Sequence, residues 1–363
     1  MNRVIINLYP VSQGGGLQNA LSFLNFLVSD PRKDKVIVLV RANSVLELNC
    51  NKNNINYISI KDSFLGRLKV ELYLARQVSK VFKADTFFTL FGNTPLVKPQ
   101  CLTISGFAFS NIIESDVDFW GFLPFYQKVI KQLKDKMRLY LSKRGDILIL
   151  ETEHLKKQAE INKTFDFNKL CVVKMAPSSI LNELYELPKP KKSKIKKILY
   201  LSGPHPNKNI HKLAVIFQYN ENFKLYVTLP MGDYLEQVIK SFEYYGISEQ
   251  LVNLGPVSPG DVPSIISSVD AMINIATLES FSNNWVEAWA SNRLLIVIEK
   301  EYVRSSCNNA AVYIDITDGK NAARNIEHAF ETSALYIEWG IHELSRLPSP
   351  RQRYDEFWKV INA

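Results

Sequence analysis

Sulphur, histidine and glycine are scarce in this chain: 4 cysteines, 5 histidines and 15 glycines in 363 residues. Cys50, Cys101, Cys171 and Cys307 are scattered, with no CxxC pair and no Cys/His cluster at metal-ligand spacing. Their dispersal excludes a zinc module and a disulfide framework and implies reduced, mostly buried thiols. His154, His205, His211, His328 and His342 are equally dispersed. No run of 18 apolar residues occurs, so no transmembrane helix is expected. The chain opens on a strand pattern, Arg3 to Tyr9, rather than on a signal peptide. The expected location is the cytoplasm.

Acid is locally scarce too. The net charge is +8, but residues 125–144 hold seven basic side chains against one acid, Asp135, and Lys189 to Lys197 add six lysines with no acid. Those two stretches exceed the total, so the remainder is slightly acidic and the basicity is local. Neither stretch has the aromatic-interleaved basic pattern of a nucleic-acid module, and no nucleic-acid partner is expected.

The composition that remains is globular, 46% apolar and 22% charged, and the length suits two domains. Strand and helix patterns alternate, which predicts parallel sheets with helices on both faces. Strands are expected at 3–9, 35–40, 55–60, 86–90, 101–104, 146–150 and 170–175, with one amphipathic helix over 65–81. Three of the glycines, Gly14, Gly15 and Gly16, fall together after the first strand, a turn that lets backbone approach a ligand. The helix 125–144 places Tyr126, Val129, Ile130, Leu133, Met137, Tyr140 and Leu141 on one stripe. The plain expectation is that this stripe packs on the sheet behind a solvated basic face, and the sharper one is contact with anionic lipid.

The first domain is expected over 1–177, a Pro- and Lys-rich linker over 178–194, and a second domain over 195–334. Ser349-Pro350 reads as an N-cap with proline at the first helical position, followed by one face of Tyr354, Phe357, Trp358 and Ile361. In the second domain the strand beginning at Lys197 leads to Ser202-Gly203-Pro204-His205-Pro206-Asn207-Lys208-Asn209. Further on, the strand Ala271 to Ala276 leads to Glu279-Ser280-Phe281-Ser282-Asn283-Asn284-Trp285-Val286-Glu287-Ala288. A strand, a loop and a helix start together make an anion site, because the first helical N–H groups lack intrahelical partners. With a diphosphate there, Glu287 has the reach to accept ribose hydroxyls and Glu279 those of a sugar. The same residues also fit a plainer pattern: Asn284 and Glu287 as a capping box, and Glu279 as a solvated loop acid.

This block resembles the Glu-x7-Glu motif of the retaining glycosyltransferases of family 4. The similarity runs on through the strand Leu294 to Glu299 and the segment Ala311-Val312-Tyr313-Ile314-Asp315. The resemblance implies a GT-B fold of two Rossmann-like, doubly wound parallel-sheet domains facing each other across a cleft, with the helical segment 335–363 crossing back onto the first. It implies sugar transfer from a nucleotide diphosphate sugar to a glycan or polyprenol-linked glycan, of the bacterial surface-polysaccharide type. Configuration is retained and neither metal nor cofactor takes part.

Carried over residue by residue, Glu279 and Lys208 are the catalytic candidates, at the donor sugar and the diphosphate. Glu287 holds the ribose, and the backbone at Ser282 and Asn283 faces the leaving diphosphate. Phe281, Gly203 and Val257 complete the donor site, with Val257 on the nucleobase side. Gly15 and Gly16 lie near the donor phosphates and the acceptor. Two departures stand out. Pro204 occupies the place of the family's phosphate-binding arginine, and Ser105-Gly106-Phe107-Ala108-Phe109-Ser110 lacks the histidine that many members have there. Asp116-Val117-Asp118 has the DxD form of metal-dependent transferases, but in a GT-B chain it reads as a coincidental surface pair. The departures keep open an alternative, a catalytically silent GT-B protein that binds nucleotide or glycan as an assembly partner.

Overall fold

The computed structural model describes residues 2–114, 116–177, 184–185, 187–188 and 193–363. Much of the linker expected over 178–194 lies outside the described residues. The chain forms two compact units, Met1–Ser179 with Pro348–Ala363, and Ile180–Leu347.

The first unit is built on β1 (Val4–Asn7), β2 (Val36–Arg41), β3 (Tyr57–Ile60), β4 (Thr86–Thr89), β5 (Leu102–Gly106), β6 (Ile147–Leu150) and β7 (Leu170–Val172). They form one sheet in the order β3-β2-β1-β4-β5-β6-β7, parallel throughout. The second unit's strands are β8 (Lys196–Tyr200), β9 (Phe223–Val227), β10 (Leu251–Asn253), β11 (Ala271–Asn274), β12 (Leu294–Ile298) and β13 (Val312–Ile314). Their order is β10-β9-β8-β11-β12-β13, again all parallel. Runs such as Val-Ile-Ile in β1 and Leu-Leu-Ile-Val-Ile in β12 are apolar on both faces because helices cover both faces of a parallel sheet. In each sheet the order reverses beside the unit's first strand, at β1/β4 and at β8/β11. Ligands of doubly wound sheets bind at such reversals, outside the carboxyl ends of the strands.

The expected strands and helices are present within a few residues. Four expectations need correction. The helix over 65–81 is not continuous: Phe64–Lys69 and Ala75–Phe82 are joined by one π-helical stretch, Val70–Leu74. The glycine turn is instead a helix start, since the first helix runs Gly14–Val28 and takes Gly15 and Gly16 into its opening turn. Gly14 has φ +63°, a left-handed conformation that suits glycine.

The third correction concerns the helix Phe125–Lys143, which sits with its apolar stripe outward. Tyr126, Leu133, Met137 and Tyr140 are all exposed, and only Leu141 and Ser142 of the helix are buried. The cause lies on its other side. Asp135 accepts hydrogen bonds from Asn111 Nδ2 (2.7 Å), Trp120 Nε1 (2.7 Å) and Arg138 (2.8 Å). Lys131 lies 4.8 Å from the Trp120 ring centroid, and the Arg138 guanidinium 4.5 Å from that of Phe109. A half-buried acid with three donors and two cation–π contacts fixes the polar face inward. Asp118, from the DxD-like stretch, pairs with Lys128 at 2.7 Å.

Finally, only the last helix joins the first unit. Pro350–Asn362 has the expected Ser349 cap, closed by Gln352 as a capping box. It buries Tyr354, Phe357, Trp358 and Ile361 among Phe23, Leu24, Phe88 and Ile104, with the Phe23 and Tyr354 rings 4.9 Å apart. The Tyr354 hydroxyl donates to Asp30 (2.8 Å) and Thr86 Oγ1 to the Ile361 carbonyl (3.3 Å). The preceding helix, Ser333–Ser345, stays with the second unit, Gly340 so close to Trp289 that an added Cβ would sit 2.5 Å from the indole Cδ1. The second unit therefore runs past 334 to Leu347. All four cysteines are free, Cys50 and Cys307 buried, Cys101 and Cys171 half-buried.

At Gly106, closing β5, an added Cβ would sit 1.9 Å from the Leu90 carbonyl oxygen, where backbone rather than a flexible side chain must yield. Gly106→Ala should therefore destabilise the first unit by about 3 kcal/mol or more, measured by denaturant unfolding.

Candidate functional site

The loops that leave β8 and β11 are stitched together by two asparagines. Asn207 accepts from the Thr277 N–H through its carbonyl (2.8 Å) and from the Leu278 N–H through Oδ1 (3.2 Å), while its Nδ2 donates to the Leu278 carbonyl (2.9 Å). Asn209, at φ 55°, donates from Nδ2 to Thr277 Oγ1 (2.8 Å) and the Ile275 carbonyl (3.1 Å). Two tyrosines hold the same loops from below: Tyr200 donates to the Lys208 carbonyl (2.8 Å) and Tyr302 to the Ala276 carbonyl (2.7 Å). Asn207 and Asn209 are buried, so every one of these bonds replaces lost hydration.

This frame brings Lys208 and Glu279 together as an ion pair, Lys208 Nζ with Glu279 Oε1. The side chains keep 23% and 11% of their exposure, so the pair sits at a rim rather than in open solvent. Glu279 is thus not a solvated loop acid. Its second oxygen accepts from Asn274 Nδ2 (3.1 Å), which also donates to Ser282 Oγ (2.8 Å). One asparagine at the end of β11 fixes both the acid and the residue that precedes the next helix.

That helix spans Asn283–Ala290 with Ser282 at its N-cap. Glu287 is its fifth residue, one position beyond the first turn, and the capping box does not form. Asn284 instead donates to the Leu201 carbonyl (2.9 Å), a further tie to the β8 loop. Glu287 is only 6% exposed, and Oε2 has no hydrogen-bond partner among the described residues. Burial pushes its carboxyl up to about 7. A carboxyl held in this state is ready to take hydroxyl donors, whose hydrogen bonds would favour its ionised form.

The other expected residues are placed as follows. Phe281 packs edge-on against Trp285, ring centroids 5.3 Å apart. Ser282 is buried, and Asn283 is half-buried at the first helical position. Gly203 is exposed in the β8 loop, and a Cβ there would meet nothing within 4 Å. Val257 follows β10, three strand positions from β11 in the sheet. Gly15 and Gly16 belong to the first unit, at the carboxyl end of β1. There Asn19 Nδ2 donates to the Gly15 carbonyl (2.9 Å), and Asn19 Oδ1 accepts from the Arg353 guanidinium. Arg353 is 4% exposed and lies 3.9 Å from Glu151, directly after β6. Its spacing of four and eight from Phe357 and Ile361 marks it as lying on the buried face, a signal the sequence did contain. Among the described residues no group of three or more His, Cys, Asp or Glu side chains is arranged to hold a metal ion.

No protein-family model matches the chain. A bis(5'-adenosyl)-triphosphatase of Dictyostelium discoideum is 31% identical over 101 residues, 28% of this chain, and the chain spans 62% of that protein's length. Solved structures align over nearly the whole chain. A glycosyltransferase from Rickettsia africae matches at 13% identity, 99% of this chain and 97% of its own, with a TM-score of 0.73. Anabaena HepE, crystallised with UDP and glucose, matches at 12% identity over 100% of both chains with a TM-score of 0.70. WaaG, a glycosyltransferase involved in lipopolysaccharide biosynthesis, matches at 11% identity over 99% of both, TM-score 0.69. At these identities the likeness is one of fold, and the fold is GT-B.

Proposed function

We propose that this chain is a glycosyltransferase of the retaining, family 4 type, moving a sugar from a nucleotide diphosphate sugar to a hydroxyl of a glycan or polyprenol-linked glycan. The observation that carries the proposal is the meeting of Lys208 and Glu279 at the β8/β11 reversal, with the buried, half-served carboxyl of Glu287 on the helix that follows. A phosphate site, a sugar-hydroxyl acceptor and a ribose acceptor then lie on consecutive pieces of one edge. The UDP and glucose bound to HepE, a protein of the same fold, support a uridine diphosphate sugar as the donor.

In the reaction, the bond between the sugar's anomeric carbon and the diphosphate oxygen breaks, and a bond from the acceptor oxygen to that carbon forms on the same face. The acceptor proton passes to the departing diphosphate. Lys208 and the backbone at Ser282 and Asn283, where the helix begins, offset the charge that develops on the leaving group, and no step is assigned to a metal. Glu279 must give up its pairing with Lys208, or share it, when the diphosphate arrives, and it then accepts sugar hydroxyls. Glu287 accepts the ribose hydroxyls. The setting is cytoplasmic, in bacterial surface-polysaccharide synthesis, with peripheral membrane contact through the basic helix. Among the described residues no helix is long and apolar enough to cross a membrane.

A thermal-shift screen against nucleotide sugars of the four bases tests the donor site, since a ligand bound only to the folded chain raises its melting temperature. One base class should stabilise the chain, and Glu287→Ala should weaken that ligand about tenfold or more. Glu279→Ala should lower transfer about 100-fold, and the product should keep the donor's anomeric configuration by NMR coupling. Unchanged transfer in both variants would reject the site, whereas binding without turnover across an acceptor panel would favour the silent assembly partner.

Glu287 also yields a stability prediction. Its folded pKa of about 7 lies above the unfolded 4.5, so the carboxyl costs stability progressively as pH rises from 4.5 to 7. Above pH 7 the cost is on the order of 3 kcal/mol. Glu287→Gln should melt higher than the parent at pH 8 and alike near pH 4.5, while binding nucleotide less tightly.

A further inference from the structure

The first unit leaves two apolar stripes open on its own surface. On the helix Phe125–Lys143 the outward residues are Phe125, Tyr126, Ile130, Leu133, Met137 and Tyr140, 48–84% exposed. The second stripe lies on Phe64–Lys69 and the π-helical stretch after it, where Phe64 is 78% and Leu65 74% exposed and Leu68 and Leu72 follow at helical spacing. Isolated exposed apolar residues are ordinary, but stripes of this length mark a surface that something covers.

The turn at Leu96 ties the two stripes together. The Leu96 N–H donates to Glu71 Oε2 (2.9 Å) and the Val97 N–H to the Glu71 carbonyl (2.7 Å), from the π-helical stretch. The Leu96 carbonyl accepts from Arg144 (2.6 Å), whose guanidinium lies 5.7 Å from the Tyr140 ring centroid. Leu96 is itself 41% exposed. Glu71 is the second residue of the π-helical stretch, so these bonds anchor the turn to the irregular part of the helix.

Charge identifies the occupant. Lys134, Lys136 and Lys143 are exposed beside the first stripe, and Lys61, Arg67 and Lys69 beside the second. A second copy of this chain, meeting the same face about a two-fold axis, would set these cations against themselves. An anionic bilayer complements both features, with apolar side chains entering the acyl boundary and amines meeting phosphates. We infer that the two stripes, joined through Leu96, form one docking face for an anionic bilayer. This deepens the membrane contact of the proposed function and rests on that reading for its purpose. The basic face alone is not the contact, because Lys131, Asp135 and Arg138 are turned inward.

Co-sedimentation of the full chain with vesicles tests the inference without donor or acceptor, so it stands or falls separately from the transfer reaction. The chain should bind phosphatidylglycerol vesicles and not phosphatidylcholine vesicles, more weakly as salt rises. Leu133→Asp with Met137→Asp, and separately Leu68→Asp with Leu72→Asp, should each weaken binding about tenfold or more. The exposed positions should leave the melting temperature near that of the parent, which guards against a folding defect. Absence of binding to phosphatidylglycerol would overturn the inference. So would full binding by either variant, and so would a parent dimer by light scattering that both variants convert to monomer.

Discussion

Two asparagine side chains determine what the second unit can do. Parallel strands leave a crevice where their order reverses, but the loops leaving β8 and β11 would be independent turns without Asn207 and Asn209. Buried amides bonded to backbone on the opposite loop leave those loops little freedom to separate, since each broken bond strands a buried polar group. Lys208 lies between the two asparagines in sequence, and Glu279 just past their partners Thr277 and Leu278. The ion pair is therefore a product of the clasp more than of its own attraction, which at a partly exposed rim is modest.

The cost of this arrangement is concentrated in Glu287. A carboxyl taken almost wholly out of water, with one oxygen unserved, lowers stability at neutral pH, and among the described residues no neighbouring cation relieves it. Such strain is characteristic of sites shaped for a ligand rather than for the empty chain. The surrounding helix tolerates it because Asn284, Trp285 and Trp289 anchor it on both sides, through Leu201, Phe281 and Ala310.

Much of the frame was legible in the residues. Alternating strand and helix patterns led to the two parallel sheets, and the Ser349-Pro350 pair led to the final helix, because both signals are local. The Glu279 to Glu287 block was legible as a loop and helix start, but not the depth to which Glu287 sinks. Burial depends on β8 and β11 becoming neighbours, which no local window contains. The outward stripe of the Phe125–Lys143 helix was misjudged for a similar reason. Helical spacing shows which residues share a face, but only Asp135 finding Asn111 and Trp120 decides which face turns inward. The role of Asn207 was missed because its bonds run to residues about seventy positions away.

The contribution of the Pro350–Asn362 helix to the first unit's core bears on how the chain reaches its fold during synthesis. Thr86 bonds to a carbonyl 275 residues later, and the rings around Phe23 close only when Tyr354, Phe357 and Trp358 arrive. The seven-stranded sheet leaves the ribosome before the second unit yet has an open hydrophobic side until this helix, which follows that unit in sequence, has been made. The second unit, contiguous in sequence, has all its parts beforehand. The usual order of domain completion, N-terminal first, is thereby inverted, and the first unit's unfinished face is the surface a nascent chain must keep from aggregation.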